Sequence, residues 1–221
     1  NTPSTPTGTN RPLQHFDAIS PKIGFVYRTT PTSQLYFNAS RAYEAPLNLE
    51  LLSSVNANGT PNTGFLNLDA QRAWQLELGH RGMSADKRYS WDVTVYNLEM
   101  QKEILASIIN NQGTFQNANG TRHTGVEAGG GMVLGKGLFA QGGAGREDSL
   151  QTRAAYTWSR FKFTDNVFAG SGANQVVIAR DGNTVAGAPE HSLNVEARYD
   201  HPAGWWIAPN IEWSLSGFYT D

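Results

Sequence analysis

The sequence predicts an all-β chain, and more narrowly a transmembrane antiparallel β-barrel seen in part. Three observations carry that reading. Apolar and polar residues alternate with period two in segment after segment, as in strands. Tight turns alternate with long polar connections. Charged residues stand in mid-strand opposite the apolar face, where a barrel places its lumen.

Composition narrows the classes. Of the 221 residues, 39% are hydrophobic and 16% charged, the charged share well below the soluble average of about 25%. The balance is Gly, Asn, Ser, Thr and Gln, which suits a barrel whose inner face is polar without being charged. The net charge of −2 gives no electrostatic case for nucleic acid as a partner. With no cysteine, disulfides and thiol chemistry are excluded. No apolar run approaches the ~18 residues of a membrane helix. The opening "NTPSTPTGTNRP" reads as a loop, so a piece of a longer protein is expected.

Eight strands are predicted in order. Ser20 to Thr29 places Ile23, Phe25 and Tyr27 on one face, and "TPTS" turns into Gln34 to Arg41. Ala73 to Gly82 sets Trp74, Leu76 and Leu78 against Gln75, Glu77 and Gly79. After "MSADK", Arg88 to about Gln101 sets Tyr89, Trp91, Val93 and Val95 against Ser90, Asp92, Thr94 and Tyr96. Arg122 to Leu134 is the fifth strand, Gly135 to Ser149 a Gly-rich connection, and Leu150 to about Phe163 the sixth strand. Ser192 to Tyr199 alternates cleanly, and Trp205 to Tyr219 closes the series after "DHPAG". No helix is expected.

The connections Ala42 to Asp69, Lys102 to Thr121 and Asp165 to Pro189 are long, and those between them mostly tight. Outer-membrane barrels have this asymmetry, with short periplasmic turns and long extracellular loops. A sandwich or propeller does not require it. Asp92, Glu127, Glu196, Arg198 and Glu212 are expected to face the lumen, and Tyr89, Trp91, Val93 and Val95 the lipid. Aromatics near both strand ends, Tyr27, Tyr89, Trp91, Tyr199, Trp205 and Trp206 at one and Tyr156, Trp158, Trp213 and Tyr219 toward the other, fit two girdles.

Four phrases, in order, resemble the TonB-dependent receptors of Gram-negative outer membranes. They are "FDAISPKIGFVYRTTPTSQLYFNASRAYEAP" (Phe16 to Pro46), "AWQLELGHRG" (Ala73 to Gly82), "NANGTRHTGVEAG" (Asn117 to Gly129) and "AGAPEHSLN" (Ala186 to Asn194). The resemblance runs from about Leu13 to Asp221. It implies a barrel of about 22 strands around an N-terminal plug. Such a barrel imports a scarce ligand, a ferric siderophore being the family's commonest, with energy from a TonB-type coupling protein acting through the plug. Localisation in the outer membrane, contact with its lipid and the absence of a cofactor follow from the same likeness. The chain, residues 1–221, would be about eight strands of one barrel domain, lacking the plug and the last strands. Loop-side ligand contacts are expected at Arg41, Tyr43, Glu44, Glu103 and Arg180.

Sharper motifs do not hold. "GGMVLGKG" (Gly130 to Gly137) lacks the Ser or Thr of a phosphate loop, and no helix pattern follows it. His15, His80, His123, His191 and His201 are scattered, without metal-ligand spacing. Haem importers of the family carry an Arg in the aromatic-Arg-Ala-Pro motif, and Glu44 stands there instead. "NGT" at Asn58 and Asn119 reads as turns. The carboxylates are spread over several strands, so no enzyme is expected. Two rivals remain open to the residues alone: a stand-alone eight-stranded barrel with a structural or adhesive role, and a soluble all-β carbohydrate-binding module.

Overall fold

The computed structural model describes residues 15–52, 56, 60–62, 65–109, 111–142, 146–169, 176–201 and 211–220. Side chains are described at all of these but 109, 140–142, 146, 169, 176, 211–218 and 220. In chain order the elements are β1 (Lys22–Thr30), β2 (Ser33–Glu44), α1 (Asn48–Leu51), β3 (Gln71–Met83), β4 (Tyr89–Gln101), β5 (Ile104–Ile109), β6 (Gln112–Asn117), β7 (Gly120–Gly142), β8 (Arg146–Phe163), β9 (Val167–Ala169), β10 (Val176–Ala179), β11 (His191–His201) and β12 (Ile211–Thr220). Eight strands pair as one sheet, β1-β2-β3-β4-β7-β8-β11-β12, and every pairing in it is antiparallel. The sheet is open, with β1 and β12 at its edges. All eight predicted strands are present, and no described helix is long and apolar enough to cross a membrane.

The register shows what each face carries. One row across six strands reads Phe25, Phe37, Leu78, Val95, Val126, Trp158. The adjacent row on the other face reads Tyr36, Gly79, Thr94, Glu127, Thr157. The apolar face is uncovered: Phe25, Leu76, Leu78, Val93, Val95 and Val195 are all exposed. A sheet whose apolar side packs on nothing among the described residues has the surface that lipid requires. Rows also drift along the strands. Leu35 lies near the start of β2, Val93 further into β4, and Leu193, in the same row, near the long-connection end of β11. That steady stagger belongs to tilted barrel strands.

Two tyrosines fit the polar face together. A Cβ on Gly79 would lie 2.3 Å from the Tyr36 ring, so only glycine leaves room for that ring to cross β3. The Tyr36 hydroxyl then reaches β4, donating to Asp92 at 3.1 Å and hydrogen-bonding Thr94. Tyr96 crosses β7 in the same way over Gly125, where an added Cβ would meet its hydroxyl at 2.5 Å.

The structure corrects the sequence reading in the connections. Ile104 to Asn117 is a hairpin, β5 with β6. Its first strand, "ILASII", is apolar without alternation, and its partner is polar, so period-two reasoning passes over both. Asn111 holds φ +62 in its turn, a conformation Asn tolerates. A second short hairpin joins β9 to β10, and α1 is a single turn closed by a bond from the Leu47 amide to Glu50. The Gly-rich connection is largely strand: β7 and β8 stay paired out to Gln141 and Glu147, with register shifts after Val133 and Lys136. Buried Asp148 anchors this irregular end, accepting the amides of Leu138 (2.6 Å) and Phe139 (2.8 Å) and the hydroxyl of Tyr199 (2.6 Å).

Candidate ligand surface at the long-connection end

Hydrophobic burial concentrates where the long connections meet. Ala118, Phe163, Val167 and Val185 form a buried cluster with Leu105, Phe161 and Ala179 against it. Backbone bonds lace the segments together: Phe163 N to Asn183 O at 2.9 Å, Val185 N to Phe161 O at 3.0 Å and Thr164 N to Gly120 O at 3.0 Å. Asn117 pins the β5–β6 hairpin to the segment before β3, accepting from Asp69 N (2.8 Å) and donating to the carbonyls of Asp69 (2.9 Å) and Lys102 (2.7 Å). The connections are thus a packed platform over one end of the sheet.

Glu103 fixes the hairpin from below. Its carboxylate accepts from the Thr121 hydroxyl and lies 3.3 Å from His123 Nε2, and His123 stacks on Phe161 with centroids 4.0 Å apart. Burial raises the Glu103 pKa and is the largest influence, but the bonds from His123 and Thr121 and the charge of His123 outweigh it, so the carboxyl is held below its ordinary value. A carboxyl lowered on docking stabilises the docked form fully above its ordinary pKa of 4.5 and loses that contribution as pH falls through the lower docked value. In the full-length receptor, Glu103→Gln is expected to raise amide exchange across Ile104–Asn117 about tenfold or more, since a buried partner left unpaired costs about 1–3 kcal/mol. Hydrogen-exchange mass spectrometry checks this. The parent protein should loosen the same hairpin below about pH 4.5, after correction for intrinsic exchange. Unchanged protection in both would remove this role from Glu103.

A groove of about 540 Å³ runs between the β5–β6 hairpin and residues 183–186, lined by Leu105, Ser107, Gln116, Ile178, Asn183 and Thr184 among others. It offers hydroxyl and amide groups over an apolar floor, and none of its lining residues is charged. On the polar face, a second cavity of about 620 Å³ at the short-connection end is lined by Arg28, Arg81, Arg153, Asp92 and the glycines Gly129 to Gly131.

The five sequence-predicted ligand contacts do not converge. Arg41 and Tyr43 share the face of Leu35 and Phe37, with Arg41 5.9 Å over the Trp74 ring. Glu44 points to the opposite face and accepts from Gln71 Nε2 at 2.7 Å. Glu103 is held inside the platform as described, and Arg180 is exposed beyond β10. Asp92, Glu127, Glu196 and Arg198 lie together on the polar face by register, Arg198 paired with Asp200 at 3.0 Å. Glu212 stands across from Asp200, and its side chain lies outside the described residues, as do Trp205 and Trp206. Sequence reasoning missed the groove because both hairpins that shape it were read as irregular loop. The Asn-Asn pair at 110–111 was the available turn signal. Among the described residues, no three His, Asp or Glu side chains gather to hold a metal ion.

Comparison with known proteins fits this architecture. No curated protein matches the chain. Among solved structures, the copper transporter OprC superposes with a TM-score of 0.58 at 16% identity, over 80% of this chain and 23% of that one. The ferric-catecholate import receptor Fiu of E. coli, in a closed form, gives 0.52 at 20% identity, over 80% and 22%. The chain therefore spans about a quarter of either protein, and the likeness is one of fold. The family described as TonB dependent receptor-like, beta-barrel, matches residues 1–221, and the chain belongs to that family.

Proposed function

We propose that the chain is part of the wall of an outer-membrane receptor that imports a scarce ligand, with a ferric siderophore as its substrate. Energy would reach it from the inner membrane through a TonB-type coupling protein acting on a plug. The carrying observation is the family match over every residue. The two-faced open sheet, with an uncovered apolar side and a polar side bearing Asp92, Glu127, Glu196 and Arg198, supports it physically. Barrels of this family reside in the Gram-negative outer membrane, and the family is one of transport receptors, so we assign no catalytic role. Ligand contact is proposed at the long-connection end, at Glu44, Arg180 and the groove beside Asn183, with Arg41 and Tyr43 as contacts from the rim. Asp92, Glu127, Glu196, Arg198 and Glu212 would face the plug or lumen water.

The ligand reading is tested by deleting the gene and measuring uptake of radiolabelled iron from ferric siderophores beside uptake of copper. Loss of siderophore-iron uptake alone is expected. Loss of copper uptake instead would replace the substrate and leave the receptor. Tyr43→Ala and Arg180→Ala are each expected to weaken ligand binding about tenfold. Growth on the identified ligand that is unchanged in both variants would remove those two contacts.

A further inference from the structure

The strands distribute their cations unevenly between the two faces. At the long-connection end, within about 10 Å of the strand ends, the apolar face carries Arg41, Arg72, Arg122, Arg160 and Lys162. Among described strand residues at that height the same face carries one carboxylate, Glu99, which pairs with Arg122 at 2.5 Å. Among the described strand residues the polar face there carries a single Lys or Arg, Lys22. Arg28, Arg81 and Arg153 on the polar face all stand toward the other end. One row deeper than Arg160 the apolar face is hydrophobic across six strands, with Phe25, Phe37, Leu78, Val95, Val126 and Trp158.

In this outward belt of cations directly above a lipid-facing band, Arg122 is the one member with a carboxylate partner among the described residues of the sheet, Glu99. Lys162 donates to Thr184 at 2.8 Å, and Arg41 lies over Trp74. Arg72 and Arg160 are exposed and make no ion pair among the described residues. The loop carboxylate Glu190 accepts from Trp158 Nε1. In water such a belt would be a solvated surface. Beside an apolar band it stands at the depth of lipid headgroups, with Trp74 at the boundary where interfacial aromatics collect. Guanidinium groups match phosphate oxygens in bidentate geometry, and a cluster of them at a membrane surface attracts anionic lipid.

We propose that Arg72, Arg122 and Arg160, flanked by Arg41 and Lys162, form a binding belt for the phosphates of anionic lipid headgroups in the leaflet around the long-connection end. This rests on the barrel-wall reading above. The belt fixes how high the barrel rides in the membrane and holds a shell of anionic lipid beneath the ligand platform.

The test uses the full-length receptor, stripped of lipid in detergent and titrated with phosphatidylglycerol or phosphatidylcholine under native mass spectrometry. Phosphatidylglycerol is expected to leave at least fivefold more bound lipid than phosphatidylcholine. The triple variant Arg72→Gln, Arg122→Gln, Arg160→Gln should lose that preference while running as a folded, heat-modifiable band. Equal retention of the two lipids by the parent, or an undiminished preference in the folded variant, overturns the belt. So does suppression of the preference by millimolar inorganic phosphate, which would make this a site for free anions. Arg160→Gln alone, expected to halve the preference, keeps the question answerable if the triple variant does not fold. Failure to find the parent as a heat-modifiable outer-membrane protein would overturn the barrel-wall reading, a result separate from any lipid preference.

Discussion

Leu78→Arg is expected to destabilise the inserted barrel by about 3 kcal/mol, the cost of a cation on a barrel's lipid face near mid-membrane. Leu78 sits in the apolar row between Phe37 and Val95 and is 45% exposed, so it is not a core residue. Most of the cost is transfer of charge into hydrocarbon. Thr157→Arg makes the control. Thr157 lies in the neighbouring row on the polar face, directly across from Glu127, and the same cation there should cost less than about 1 kcal/mol. Urea unfolding of the full-length receptor in phospholipid vesicles separates the two. Equal costs would mean that the apolar face does not meet lipid, which would return the soluble rival to consideration.

Gly79→Val should be comparably severe for a different reason. The added side chain displaces the Tyr36 ring, which an added Cβ alone would approach to 2.3 Å, and breaks its bonds to Asp92 and Thr94. Overpacking costs about 1–3 kcal/mol and each lost hydrogen bond about 1, so a loss of about 3 kcal/mol is expected. Gly129→Ala, whose Cβ meets nothing closer than the Ala154 carbonyl at 3.9 Å, should fall within about 0.5 kcal/mol of the parent. The same unfolding curves check both. Similar midpoints for the two variants would show that Tyr36 is not seated on Gly79.

The main sheet was legible because its physics is local. Alternation at Trp74 to Gly79 or Leu193 to Arg198 reports two different solvents on two faces, and every such strand lies in the sheet. The platform was not legible, because its strands are stabilised by one another. "ILASII" alternates with nothing and needs Gln112 to Asn117, Asn117 and the Glu103, Thr121 and His123 cluster to make it a hairpin. Glu103 shows the limit at a single residue. A loop carboxylate beside a strand end reads as a ligand contact, while His123, which turns it inward, lies a whole hairpin away in sequence.

The tyrosines seated on Gly79 and Gly125 also bear on how neighbouring hairpins find their alignment. A slip by one residue is forbidden by the faces, since it would turn every apolar side chain inward. A slip by two residues keeps both faces intact, so hydrophobicity cannot detect it. Such a slip between β2 and β3 would put Glu77 or Arg81 beneath Tyr36, and between β4 and β7 it would put His123 or Glu127 beneath Tyr96. Only the glycine position accepts the ring. The two pairs therefore act as keys that read the alignment to a single residue, and because Tyr36 also bonds to β4, one key checks three strands at once.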